Sequence, residues 1–265
     1  MKVDGATRLL IIVGDPIAQV KSPAGMTESL QGAGRNAVVM PVHVAPADLS
    51  ALLDGIGLAR NLDGIIVTVP HKVACYRHCA TATPRARTLE AVNIMRRNAD
   101  GTWHGEMFDG VGFVGALRNH GGDPAGKRTL MIGAGGAGSA IGLALLDAGV
   151  SRLSIHDADV TRRDALIERL ARIHPGRVGV GSSDPRGYQL IANASPAGMR
   201  PEDPYPVDVE ALDASMFFGC VITAPSVSPW VAAARAKGCR GSVGIDMYNA
   251  EQQPMLTFLL EADVQ

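Results

Sequence analysis

The amino-acid sequence predicts the α/β class, in two domains, on three observations. Short aliphatic runs alternate with longer amphipathic ones. A glycine-rich turn sits between one such run and a helical segment, the order a βαβ unit requires. The chain has 265 residues, enough to bury two cores of ordinary size. No internal repeat or low-complexity tract competes with that reading.

Taken in order, Arg8 to Gly14 is an apolar run closed by Gly14-Asp15-Pro16 and reads as the first strand. Ser22-Pro23 opens a helix with proline at its first positions. Val38 to Val44 reads as the next strand, Pro46 to Leu58 has helical apolar spacing, and Gly64 to Val69 is a buried strand stopped by Pro70. Gly121-Gly122-Asp123-Pro124-Ala125-Gly126 then breaks the periodicity. From Arg128 the order is strand, glycine turn, helix (Ser139 to Asp147), strand (Leu153 to Asp157) and helix (Thr161 to Ile173). Leu190 to Asn193 and Gly219 to Thr223 read as further strands, and Pro254 to Ala262 as a terminal helix.

Composition narrows the function. Hydrophobic residues make up 46% of the chain, with 31 glycines and 16 prolines, as in a globular protein rich in turns. The formal net charge is −1 and Lys and Arg form no dense run, which argues against nucleic acid or an anionic membrane as partner and for a small ligand. The start lacks the pattern of a secretory leader and no apolar run reaches about 18 residues, so a cytoplasmic location is expected. Cys75, Cys79, Cys220 and Cys239 are too scattered for a disulfide framework and lack a second ligand pair at zinc spacing. Reduced thiols and no metal are expected.

The glycine turn carries the strongest chemical signal. In Gly133-x-Gly135-x-x-Gly138 the first glycine makes the tight turn, the second lets phosphate oxygens approach the backbone, and the third permits close helix packing. With Gly136 and Ala137 between them, these residues form the expected pyrophosphate cradle of a Rossmann-type nicotinamide dinucleotide site. Asp157, 24 residues after Gly133, is placed to accept hydrogen bonds from the adenine ribose hydroxyls and would repel a 2′-phosphate. That favours NAD over NADP; Arg162 and Arg163 are the nearby cations that could receive such a phosphate instead, although on the helix after the loop they read equally well as solvated surface charges.

Hydride transfer to a carbonyl leaves negative charge on oxygen, so the site needs a positioned proton donor. Lys72, just past the strand that ends at Pro70, and Asp109, in the turn Phe108-Asp109-Gly110-Val111-Gly112, are one pairing among several that the residues alone permit.

Ordered motifs narrow the choice. Val67-Thr68-Val69-Pro70-His71-Lys72 resembles the shikimate/quinate dehydrogenase segment Val-Thr-x-Pro-x-Lys. Gly14 to Pro23 resembles that family's N-terminal substrate motif, Ala91-Val92-Asn93 its asparagine motif, Gly105 to Gly110 its aspartate segment, and Asn193-Ala194-Ser195-Pro196-Ala197-Gly198-Met199 its cofactor-domain loop. The resemblance implies Lys72 and Asp109 as the catalytic pair and Val20, Ser22, Thr68, Asn93, Thr223 and Glu251 as substrate-facing positions. It also implies that Asn193, Ser195, Met199 and Met247 join the cofactor site, with Met247 approaching the nicotinamide. The domains it implies are a substrate domain over 1–114, a Rossmann domain over 115–238, and a segment 239–265 whose helix packs back on the first.

This chain departs from the family at the substrate. The motif's two serines are Val20 and Ser22, preceded by Gln19 in place of histidine. The tyrosine that reaches the substrate carboxylate becomes Thr223, the Asn-Thr of the aspartate segment becomes Met107-Phe108, which predicts a greasier pocket, and the glutamine after the nicotinamide methionine becomes Glu251. The expectation is an NAD(P)-dependent oxidoreductase acting on a ring secondary alcohol such as shikimate, quinate or a related hydroxy acid, as monomer or homodimer. The alternative is a catalytically weak NAD-binding sensor or regulatory module.

Overall fold

The computed structural model describes residues 3–261. Two compact units divide the chain: Met1–Phe108 with Gln252–Gln265, and Asp109–Glu251.

The first unit contains β1 (Arg8–Gly14), α1 (Ser22–Gly32), β2 (Ala37–His43), α2 (Leu49–Ile56), β3 (Leu62–Val67), α3 (Lys72–His78), β4 (Thr81–Ala82), α4 (Pro84–Leu89), β5 (Ile94–Arg97) and β6 (Trp103–Glu106). One six-stranded sheet takes the order β2-β1-β3-β5-β6-β4. β1 is parallel to β2 and β3, whereas β5 is antiparallel to β3 and β6. Ile11, Ile12, Ile65 and Ile66 are nearly inaccessible, as expected of strands covered on both faces.

The second unit contains α5 (Asp109–Asn119), β7 (Arg128–Ile132), α6 (Gly136–Asp147), β8 (Arg152–His156), α7 (Val160–Ile173), β9 (Val178–Val180), β10 (Leu190–Asn193), β11 (Phe217–Cys220), α8 (Pro229–Ala236) and β12 (Arg240–Ser242); α9 (Gly244–Leu260) begins here. Its sheet runs β12-β11-β10-β7-β8-β9, parallel throughout. In chain order that is 3-2-1-4-5-6, the doubly wound dinucleotide-binding arrangement, whose crevice opens where β7 and β10 part.

The sequence reading is corrected at several points. The division falls at Phe108/Asp109 and Glu251/Gln252 rather than after 114 and 238, because α5 packs on α6: a Cβ on Gly110 would lie 2.3 Å from the Ala140 oxygen. Asp109 opens that helix instead of sitting in a turn. α6 starts at Gly136, three residues before the expected Ser139, so the third glycine is already helical. α9 starts at Gly244 and carries Pro254 inside it, where a start was expected at Pro254; Ala262, its expected end, lies outside the described residues. The short elements α3, β4, α4, β5 and β6 were not separated by periodicity, since segments of two to seven residues show too few repeats to mark a face.

Candidate active site

In the second unit the site is made of backbone. Gly133 has φ +103°, and a Cβ there would lie 2.7 Å from the Ala194 oxygen, so glycine lets the loop after β10 close on the turn after β7. A Cβ on Gly138 would lie 2.2 Å from the Gly133 oxygen, so only glycine seats the first turn of α6 against the strand end. Gly135 is the N-cap of α6 and has nothing within 4 Å of its missing Cβ, and no side chain caps the helix. Open backbone N–H groups at the positive end of a twelve-residue helix are the donors a pyrophosphate needs, and the residues fit such a group.

A cavity of about 510 Å³ adjoins the turn, bounded by Gly133, His156 to Ala158, Arg162, Ser183, Ser195 to Ala197 and Asp203 to Pro206. Asp157 is buried at its floor and fully engaged. Its carboxylate accepts hydrogen bonds from the Ala134 N–H at 2.7 Å, the Asp159 N–H at 2.8 Å and the Arg162 guanidinium at 2.8 and 3.3 Å. Burial alone would raise the carboxyl pKa; the bonds from Arg162, Ala134 and Asp159 outweigh it and hold the group below its ordinary value. Arg162, about half exposed, therefore stands as a cation at the cavity edge, where Asp157 was expected to meet the ribose alone.

Asn193 and Ser195 shape the neighbouring loop. Asn193 is inaccessible; its Oδ1 accepts from the Ser195 N–H and hydroxyl, and its Nδ2 donates to the Ala197 oxygen. Met199 packs against the core cluster that holds Trp230, while Thr223 and Met247 are half-buried after β11 and in the first turn of α9. Glu251 stands against α5, where Gly112 makes room: a Cβ there would lie 2.9 Å from the Glu251 Cβ.

The first unit contributes side chains at the ends of β1 and β3. The Asp15 N–H bonds the Val69 oxygen and the Thr68 N–H bonds the Val13 oxygen, so the loop holding Val20 and Ser22 leaves the sheet beside the loop leading to Lys72. Gly14 permits the approach, since a Cβ would lie 2.4 Å from Thr68 Cγ2. Ser22 is buried as the first residue of α1, with Val20 half-buried before it. His71 is buried with Nε2 2.9 Å from the Val44 oxygen, pinning the turn from which α3 starts. Lys72 is the first residue of α3, half-buried, and its carbonyl accepts the Val92 N–H at 3.1 Å.

Asn93 stands next to that bond. Its backbone ties to β3 through Val67 and to β6 through Glu106, and its Oδ1 accepts the Phe108 N–H at 2.9 Å. The fixed oxygen orients the amide, so that Asn93 turns its Nδ2 donors away from Phe108. Phe108, expected to grease the substrate pocket, packs its ring edge-on to Phe258 at 5.9 Å and under the Arg85 guanidinium. Val20, Ser22, Thr68, Lys72 and Asn93 thus belong to one unit, and Asp109, Thr223, Met247, Glu251 and the glycine turn to the other.

A family model described as the shikimate dehydrogenase substrate binding domain matches residues 12–95. A shikimate dehydrogenase (NADP(+)) of Rubrobacter xylanophilus is 35% identical over 243 residues, 89% of this chain and 85% of its own. Another, of Geobacter metallireducens, is 30% identical over 260 residues, 95% of this chain and 90% of its own. The chain belongs to the shikimate/quinate dehydrogenase family.

It is a dehydrogenase acting on a CH–OH group. Two solved structures in this fold are similar to it. Quinate dehydrogenase from Corynebacterium glutamicum in complex with NAD superposes with a TM-score of 0.84 at 26% identity, covering 96% of this chain and 93% of its own. The ligand-free 5-ketofructose reductase of Gluconobacter sp. strain CHM43 gives 0.80 at 27%, with the same coverage.

Sequence reasoning undervalued Arg162, taken as readily for a solvated surface charge. The available signal was its spacing: Asp159 caps α7 by accepting the Arg162 N–H, which puts position 162 in the first turn above Asp157. It missed His71, Arg85 and Glu106 altogether, because their partners are distant in the chain.

Proposed function

We propose that this dehydrogenase catalyses reversible hydride transfer between NADP(H) and a secondary alcohol on a hydroxylated ring, with Lys72 as the proton-transfer residue. The observation that carries the reading is the Lys72 carbonyl bond to Val92, which sets the lysine and the oriented Asn93 amide at one end of β3. A bound nicotinamide supplies the hydride acceptor. In the oxidation direction Lys72 Nζ takes the hydroxyl proton, and in the reduction direction it returns a proton to the oxygen on which charge develops. Asn93 donates to a substrate oxygen through Nδ2. Asp109 is the carboxylate that the family motif pairs with the lysine.

The sequence's preference for NAD is revised. The relatives cited are named NADP(+) enzymes, although the quinate dehydrogenase is described with NAD. The Arg162 guanidinium neutralises Asp157 and provides the contact a 2′-phosphate requires, so NADP(H) is preferred and NAD(H) accepted more weakly.

Shikimate and quinate are poor substrates in this reading. Val20 replaces a hydroxyl donor with an apolar group, Thr223 shortens another, and Glu251 adds a negative charge where an acidic substrate would meet it. Likeness to a reductase named for 5-ketofructose, a keto sugar without a carboxylate, supports a different hydroxylated substrate.

A panel of cyclic hydroxy acids, polyols and keto sugars, scored by absorbance at the nicotinamide band with both cofactors, tests all three statements. Lys72→Ala is expected to lower kcat about 10²- to 10⁴-fold with NADP⁺ binding unchanged. Wild-type turnover that survives this change would remove Lys72 from the chemistry. Cofactor binding without turnover on any panel member would favour the sensor reading.

A further inference from the structure

Glu106, the last residue of β6, is a carboxylate buried in the first unit. Its Oε1 accepts the Thr83 hydroxyl at 2.8 Å, the Met107 N–H at 2.7 Å and Arg85 Nε at 3.2 Å, and its Oε2 lies 3.0 Å from Arg85 Nη2. A carboxylate so placed is tolerated because every bond it accepts comes from a fixed donor and one partner is charged. Thr83 is itself fixed as the N-cap of α4, accepting the Ala86 N–H. The Arg85 guanidinium also lies 5.3 Å from the centre of the Phe108 ring.

These contacts converge on two successive peptide units. Glu106 and Arg85 hold Met107 by its N–H and Phe108 by its ring, and the next N–H, that of Phe108, holds Asn93 Oδ1. The Asn93 N–H returns to the Glu106 oxygen at 3.0 Å and closes the loop. Packing alone would not require a charged pair here; a hydrophobic pair of similar volume would fill the same space at no desolvation cost. What the pair adds is direction, since it fixes the Glu106–Met107 peptide, immediately before the one whose N–H holds the Asn93 amide oxygen.

We infer that Glu106, clamped by Arg85, is a positioning residue that sets the Asn93 amide for substrate, an assignment that rests on the dehydrogenase reading above. The test uses Arg85→Met, which keeps an unbranched stem and removes the guanidinium from both Glu106 and the Phe108 ring, together with Glu106→Gln and Arg85→Lys. The assay pair is NADP⁺ with the member of the panel above that the wild type turns over best. Arg85→Met and Glu106→Gln are expected to raise the KM for that substrate about fivefold or more, with the KM for NADP⁺ and kcat within about twofold, and Arg85→Lys to recover much of the loss. In an Asn93→Ala background the same changes are expected to have no further effect, because the residue they act through is gone. An undiminished loss in that background, or an unchanged KM, overturns the inference.

Amide exchange at Phe108 gives a second readout that needs no turnover. Arg85→Met is expected to accelerate exchange there selectively, and unaltered protection overturns the inference. A wild type inactive toward every substrate would count against the dehydrogenase reading alone, while the exchange at Phe108 would still decide the role of Glu106. Should Glu106→Gln fail to fold, Arg85→Met at a one-third exposed side chain carries both measurements.

Discussion

The two units place their chemistry by opposite means. In Asp109–Glu251 the parallel sheet ends in a turn whose working groups are backbone amides, and side chains such as Asp157 and Asn193 face inward to brace it. In the unit built on β2-β1-β3-β5-β6-β4 the proposed working groups are side chains, Lys72 and Asn93, and backbone bonds from Val92 and Phe108 brace them. A site made of backbone is fragile to added atoms; a site made of side chains is fragile to removed ones. Each also contains a buried carboxylate at a strand end, paired with an arginine and bonded to a turn N–H: Asp157 with Arg162, Glu106 with Arg85. Arg162 borders a cavity, whereas Arg85 covers an aromatic ring.

Adding one methyl to the backbone site gives the largest expected effect. Gly138→Ala puts a Cβ 2.2 Å from the Gly133 oxygen, so the turn must open or the helix retreat. Cofactor affinity measured by calorimetry is expected to fall about a hundredfold or beyond detection. Gly135→Ala, with open space around it, is expected to fold with wild-type stability and to weaken cofactor binding only by crowding the phosphate. An equal loss of Tm in the two variants would show that the close contact at Gly138 does not matter.

Arg162→Ala should act on selectivity with the fold retained. Removing the cation leaves Asp157 uncompensated, so the ratio of kcat/KM for NADP⁺ to that for NAD⁺ is expected to drop about tenfold or more. An unchanged ratio would remove Arg162 from cofactor selectivity. Acid titration is a finer probe of the same pair. The Asp157 pKa is lowered in the folded state from the ordinary 3.8, so its stabilising contribution is complete above that value and is lost as pH falls through the folded value. The difference in Tm between wild type and Asp157→Asn is expected to stay constant from about pH 7 to pH 5 and to shrink below about pH 4.

The smallest effect concerns the thiols. Burial pushes Cys75 and Cys79 up to about 12 and Cys220 to about 11. At pH 8 the thiolate fraction is at most about one in a thousand, so iodoacetamide is expected to label them far more slowly in the native protein than in urea, as mass spectrometry would show.

How much could be read in advance follows the same contrast. The strand limits of β1 and β10, the proline-led start of α1 and the glycine turn were legible because each is written in adjacent residues. Proline at a helix start and glycine at positive φ are local constraints that survive any tertiary context. The antiparallel half of the first sheet was not legible: β5 and β6 have four residues each, too few to mark a face, and β5 joins the sheet through the distant β3. Lys72 and Asn93 were singled out through motif order, and the structure brings their backbones together through the Val92 bond. The bonds that orient Asn93, and the roles of Arg85 and Glu106, depend on contacts 15 to 23 residues apart that no window of periodicity contains. Asp157 was found but its environment was misjudged, because the Arg162 side chain had to fold back across the first turn of α7 before its carboxylate was claimed.

The absence of any cationic side chain in the stretch Gly133 to Gly138 has a bearing on ionic strength. Peptide dipoles at a helix end carry no counterions to be displaced, so the part of cofactor affinity that comes from the pyrophosphate should respond weakly to added salt. The part that comes from the half-exposed Arg162 guanidinium is a surface charge and should be screened. A buffer series from low to high potassium chloride would therefore narrow the gap between the two nicotinamide cofactors while leaving the weaker one almost unmoved, making discrimination by this protein a function of the medium it works in.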